Sequence, residues 1–159
     1  MNWPSCHRFR AADVAEIVLR ESAFDPAAEM DAFIGRHAQA GGVVSFLGQV
    51  RGDGGVEALE LKHYPPMTQP GMADLAVTIE RRWPLEGLLL LHRVGLMVPG
   101  DPIVLVAAAA RHRRDAFAAA DFAMDHLKGE SWFWKREKTA AGWRWIEPRA
   151  QDHADLARW

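Results

Sequence analysis

The chain has almost no cysteine. Cys6 stands alone among 159 residues, so no internal disulfide can form, and no CxxC or paired-histidine spacing suggests zinc. It has no excess of one charge. Nineteen Lys+Arg against 21 Asp+Glu leave a net charge of −2. That excludes the global basic field that favours nucleic acid, while leaving room for a local basic site. No apolar run reaches membrane-spanning length, and the start MNWPSCHRFR lacks the apolar core of a signal peptide. A cytoplasmic protein is therefore expected. Repeats and low-complexity segments are also missing. What remains is an ordinary globular composition, 49% hydrophobic and 25% charged, long enough for one domain with a real core over residues 1–159.

Local patterns divide the chain. The first forty residues read as a strand, HRFRA, followed by helical pieces ending in AAEMDAFIGRHAQA. GGVVSFLGQVR is a strand bounded by glycines, RGDGG a turn, and VEALELKHY a second strand. PPMTQPGMADLAVTIERRW opens with prolines and then turns helical, with Met72, Leu75, Ala76 and Ile79 on one face. EGLLLLHRVGLMVPGDPIVLVAAAA reads as two strands around the connection GLMVPGD. Gly87 and Gly95 hold the LLLL run to strand length, against the competing reading of a buried helix. RDAFAAADFAMDHLKG is the clearest helix, alanine-rich and stopped at Gly129 as a C′ residue. SWFWKRE and GWRWIEP are strands around KTAAG, and QDHADLARW is a short terminal helix. Strands and helices alternate while hairpins recur, which predicts an α+β fold.

The basic residues carry the functional signal. At 100° per residue, Phe117, Met124 and Lys128 lie within roughly 40° of one another, so Lys128 ends an apolar stripe. A lysine in a last helical turn also complements the dipole and snorkels. At the other end, RHRRD places Arg111, His112, Arg113 and Arg114 where the macrodipole favours anions. Two readings stand: an anionic ligand shared by the arginines and the free backbone N–H groups, or side chains that simply point into water. Arg51 ends a strand before a glycine turn. His63 and His92 read as structural histidines. Seven tryptophans favour a packed pocket or partner surface. In SWFWKREK, Lys135 follows Trp132, Phe133 and Trp134 directly, and burying a lysine there is costly unless its charge is used or paired.

GGVVSFLGQVR, LKHYPPMT, HRVGLMVPGD, RHRRDAFAAADFAMDHLK and FWKRE…GWRWIE occur in this order and spacing in the large, catalytic subunit of molybdopterin synthase. From about residue 41 to the C-terminus the chain resembles that family, while residues 1–40 carry little of the likeness. The resemblance implies an α/β-hammerhead fold with a mainly antiparallel sheet and flanking helices. It implies an enzyme that installs the two dithiolene sulfurs on cyclic pyranopterin monophosphate. The sulfur would come from a thiocarboxylate at the C-terminal Gly-Gly of a small ubiquitin-like subunit, threaded into a pocket. Two large and two small subunits would form a heterotetramer.

Position by position, the resemblance makes Lys128 and Lys135 the catalytic lysines. It places Gln49, Val50, Arg51, His112, Arg113, Arg136 and Glu137 with them around the substrate. Gln49 stands where some members have lysine, Ala110 and Arg111 replace smaller polar residues, and the 52–55 loop is short. No metal or organic cofactor is implied for this step, because molybdenum enters later and the sulfur nucleophile belongs to the partner. On this reading the aromatics exclude water, and burial lowers the lysine pKa values. The alternatives are a non-catalytic phosphate- or nucleotide-binding module, or a docking partner of a ubiquitin-like protein.

Overall fold

The computed structural model describes residues 6–10 and 13–159. Along the chain run β1 (Cys6–Arg10), β2 (Ala15–Arg20), α1 (Pro26–Arg36), β3 (Gly42–Gln49), β4 (Ala58–His63), α2 (Pro65–Arg82), β5 (Leu85–Arg93), β6 (Gly95–Met97), β7 (Pro102–Ala110), α3 (Arg113–Gly129), β8 (Phe133–Thr139), β9 (Gly142–Ile146) and α4 (Ala150–Leu156). A five-stranded sheet has the order β1-β2-β5-β7-β3, and a four-stranded sheet the order β6-β4-β8-β9. Pairing is antiparallel except between β2 and β5. The expected α+β class, mainly antiparallel with flanking helices, describes this architecture.

The two longest apolar runs explain the larger sheet. Residues 88–91 of β5 and 106–110 of β7 have no accessible surface. Alternation then sorts them to opposite faces. Leu88, Leu90, Val106, Ala108 and Ala110 meet α2 and α3, whereas Leu89, Leu91, Leu105, Ala107 and Ala109 meet Phe33 of α1 and Phe24. A strand covered on both faces reads as a continuous apolar run, which is why LLLL is a strand. The face of α2 expected from its spacing, Met72, Leu75, Ala76 and Ile79, is buried as read. Val50, Leu59, Leu61 and Met97 form a separate small core beneath the four-stranded sheet.

Several local expectations change. Residues 15–20 are not a helical piece but β2, a strand inside the larger sheet. Ile17, Val18 and Leu19 are all buried; covered on both faces, they show no period, so the local pattern concealed the strand. Part of the GLMVPGD connection, Gly95–Met97, pairs with β4 as β6. Helix α2 begins at Pro65, because a proline in the first turn gives up a hydrogen bond the helix never makes. Gly129 is the last residue of α3 rather than a left-handed C′ residue, and its φ is not positive. Its missing side chain serves packing instead: a Cβ there would lie 2.8 Å from Leu156 Cδ2 of α4. Cys6 opens β1 and is exposed. Ala11, at the end of the expected HRFRA strand, lies outside the described residues. Among those residues no helix is long and apolar enough to cross a membrane.

Candidate active site

Strand β8 sorts the SWFWKREK stretch by parity. Phe133, Lys135 and Glu137 share one face, and Trp134, Arg136 and Lys138 the other. Phe133 stacks on buried His92 at 4.0 Å between ring centroids. Trp134 is exposed on the outer face, so it does not wall Lys135 as the sequence suggested. Ahead of the strand, Thr68 Oγ1 of α2 donates to the Trp132 carbonyl at 2.9 Å. The Trp132 indole packs against Gly71, where a Cβ would lie 2.4 Å from its Nε1. These contacts tie the start of β8 to α2.

Lys135 is half-buried. Its Nζ lies 3.8 Å from Glu137 Oε1, and Arg144 Nη2 of β9 lies 3.3 Å from the other carboxylate oxygen. Burial pushes the Lys135 ammonium below the usual lysine range. Glu137 opposes that shift, whereas Arg149, Lys128 and Arg51 reinforce it by repulsion. A cavity of about 240 Å³ opens here, lined by Gln49, Arg51, Lys135, Glu137, Arg144 and Arg149 among others. Four cations of the lining, Arg51, Lys135, Arg144 and Arg149, face two carboxylates, Asp53 and Glu137. The excess of positive charge suits an anionic ligand.

Arg51 enters from the end of β3, largely exposed and 3.5 Å from Asp53 Oδ2. Val50 is buried and presents backbone only: its N–H donates to Asp101 O and its carbonyl accepts from Gly100 N, both at 2.9 Å. Gln49 Nε2 donates to Gly100 O at 3.3 Å. Lys128 is exposed, not buried at the end of an apolar face. The stripe it ends is a groove rather than core: Phe117 is 61% exposed and Phe46 41% exposed. This groove, about 640 Å³, runs between β3, α3 and α4, with Phe46, Phe117, Met124 and Trp159 in its lining and Lys128 at the C-terminal end of α3. Asp121 and Asp125 on its rim are already engaged by Arg158 at 2.9 and 2.8 Å.

The structure thus gathers Lys135, Arg51, Gln49, Val50 and Glu137 at the cavity, with Lys128 in the separate groove and near enough to repel Lys135. It does not gather the rest within one chain. His112 and Arg113 are exposed at the opposite end of α3; fifteen residues of helix place Arg113 about 22 Å along the axis from Lys128. Arg136 projects to the outer face of β8, ion-paired with Glu60 and lying over the Trp143 ring at 4.6 Å. Two cavity cations escaped the sequence reading, Arg144 and Arg149. A signal for Arg144 existed: it pairs in register with Glu137 in the expected hairpin. Arg149 had none, because it arrives through the packing of α4, whose N-cap it forms.

The family model described as MoaE protein matches residues 19–130. The molybdopterin synthase catalytic subunit of Ralstonia nicotianae is 48% identical over 146 residues, covering 90% of this chain and 83% of that protein. The solved molybdopterin biosynthesis MoaE protein of Burkholderia ambifaria superposes with a TM-score of 0.77 at 42% identity, over 93% of this chain and 98% of that one. A Helicobacter pylori complex of subunits 1 and 2 of molybdopterin-converting factor shares the fold, with a TM-score of 0.74 at 16% identity, over 84% of this chain and 91% of that one.

Proposed function

The chain belongs to the MoaE family, and from that premise we propose that it acts as the catalytic, sulfur-transferring subunit of a molybdopterin synthase. The observation that carries the reading is a pair of lysines from separate elements, one in an apolar groove and one in a cationic cavity, near enough for the first to repel the second. A phosphate- or nucleotide-binding module would use the cavity but has no need of the groove.

The groove takes the extended Gly-Gly tail of a small ubiquitin-like subunit, whose missing side chains let it lie between Phe46, Phe117 and Met124. Its thiocarboxylate then ends beside Lys128. Cyclic pyranopterin monophosphate occupies the cavity, with Arg51 and Arg149 on its anionic groups. Two anions are brought together there by fixed cations, which lowers the cost of their approach. The sulfur bonds to an electrophilic substrate carbon as that carbon's bond to oxygen breaks, the oxygen leaving with the electron pair and taking a proton. Water then cuts the acyl carbon–sulfur bond, releasing the small subunit as a carboxylate and leaving the sulfur on the substrate. Lys135 serves these steps as proton donor and acceptor, since burial makes its ammonium more acidic than a free lysine's. Each of the two sulfurs requires one activated small subunit.

His112 and Arg113 fit this scheme through a second copy. At about 22 Å from Lys128 they cannot reach their own chain's site, but in a homodimer the start of α3 is free to complete the neighbour's cavity. The reading includes a heterotetramer of two large and two small subunits working in the cytoplasm. Mixing the purified chain with thiocarboxylated small subunit and pterin precursor tests the function directly. Molybdopterin should form in proportion to the thiocarboxylate consumed, and its absence with both ligands bound would leave a binding module.

A further inference from the structure

The motif HRVGLMVPGD contributes no side chain to the chemistry above, yet it holds one of the few buried charges among the described residues. Arg93 is 8% exposed. Its Nη1 lies 3.2 Å from Asp101 Oδ2, while its Nε and Nη2 donate to the carbonyls of Glu21 and Leu96 at 3.4 Å. The same Asp101 oxygen accepts from Val98 N at 3.1 Å, and Asp101 N donates to Val98 O at 3.0 Å. Pro99 and Gly100, the latter with φ +92°, occupy the middle of this turn, as a type II turn requires. The turn in turn grips Val50 by both peptide groups and Gln49 by its side chain. Arg51 is the next residue.

We propose that Arg93 and Asp101 are a positioning pair for Arg51: the ion pair, buried on its arginine side, fixes the 98–101 turn, and the turn fixes the backbone from which Arg51 enters the cavity. The β3–β7 ladder alone does not do this, since its register shifts between Gly48 and Gln49. Beyond that irregularity the chain is held by the turn. A side chain as long and as exposed as that of Arg51 loses much of its aim if its Cα is free to move. The inference rests on the reading of Arg51 as a substrate-binding residue.

The test uses the full synthase assay with Asp101→Asn, which keeps an acceptor for Val98 N while removing the charge. Arg93→Lys, which keeps the charge, serves as the conservative variant. Asp101→Asn should raise KM for the pterin about tenfold with kcat little changed, and Arg93→Lys should do so far less. Amide exchange at Val50 should quicken by about tenfold or more in Asp101→Asn. In an Arg51→Ala background Asp101→Asn should add nothing to KM, the non-additivity expected of residues acting as one unit. An equal KM rise in both backgrounds would make the pair a general structural support and overturn the proposal, as would faster exchange at Val50 with unchanged KM. If Arg51→Ala by itself left KM unchanged, Arg51 would leave the substrate site and the positioning role would fall with it. The exchange measurement, which needs no substrate, separates that case from a turn that never held Val50.

Discussion

Lys135 and Glu137 share one face of β8 at 3.8 Å, where burial disfavours the charged lysine and Glu137 favours it. Lys135→Ala and Lys128→Ala should each lower molybdopterin formation by about 10²–10⁴-fold, the usual worth of a positioned proton-transfer group. Circular dichroism should show both variants folded, because Lys128 is exposed and Lys135 lies outside the main core. Normal turnover in both would remove the lysines from the mechanism. Glu137 raises the Lys135 pKa against the effect of burial. Glu137→Gln should therefore move the limb of the pH–rate profile that belongs to Lys135 to lower pH; an upward move would contradict the arrangement. Both lysines were legible from the sequence, because their motifs are local. The faces of Trp134 and Arg136 are also implicit in a strand reading of SWFWKRE, since a period of two turns both away from Lys135.

Helix α4 and the residues after it are held against α3 by several contacts. Leu156 packs over Gly129, Trp159 meets Phe122 at 5.2 Å between ring centroids, and Arg158 spans Asp121 and Asp125. Arg149 at its start lines the cavity, and Asp152, Asp155 and Trp159 line the groove. Gly129→Ala should push α4 away, costing about 1–3 kcal/mol as overpacking does and lowering activity through Arg149. Adding Leu156→Ala should restore much of the lost thermal stability. If Gly129→Ala alone matched wild type in melting temperature and rate, α4 would not be held by this contact. Position 129 shows how a sequence signal can be right in residue and wrong in cause. A glycine at a helix end suggests a positive φ, yet here it makes room for a segment almost thirty residues away.

At the scale of the whole molecule, His92 links the two sheets by stacking on Phe133 while its Nδ1–H donates to Arg93 O at 2.9 Å. Burial holds its pKa at about 4, against 6.5 for a free histidine. The unfolded chain thus takes up a proton that the folded chain refuses between these values. Stability is full above pH 6.5 and falls as pH drops toward 4, by about 3 kcal/mol from this group. Denaturation of wild type and His92→Gln across that range should differ in slope, with the variant flatter; parallel curves would show that His92 is protonated in the folded state. The proposed dimer has its own test. Mixing Lys135→Ala with Arg113→Ala chains should give about a quarter of wild-type activity, because half of the dimers are mixed and each has one intact site. No recovery on mixing would place both residues in the same chain's site.

The sequence by itself determined which segments are strands and helices wherever their period or their flanking glycines were clear. It also carried the family, a property written into short, contiguous stretches. Tertiary structure decided the rest. β2 became an inner strand because β5 was there to pair with it. Lys128 stands at a groove because α4 and β3 form the walls. Arg149 joins the cavity, and His112 and Arg113 leave it, because a helix is rigid and keeps its ends apart. Periodicity says that a residue has a side to face, and the neighbours that cover or open that side come from distant parts of the chain.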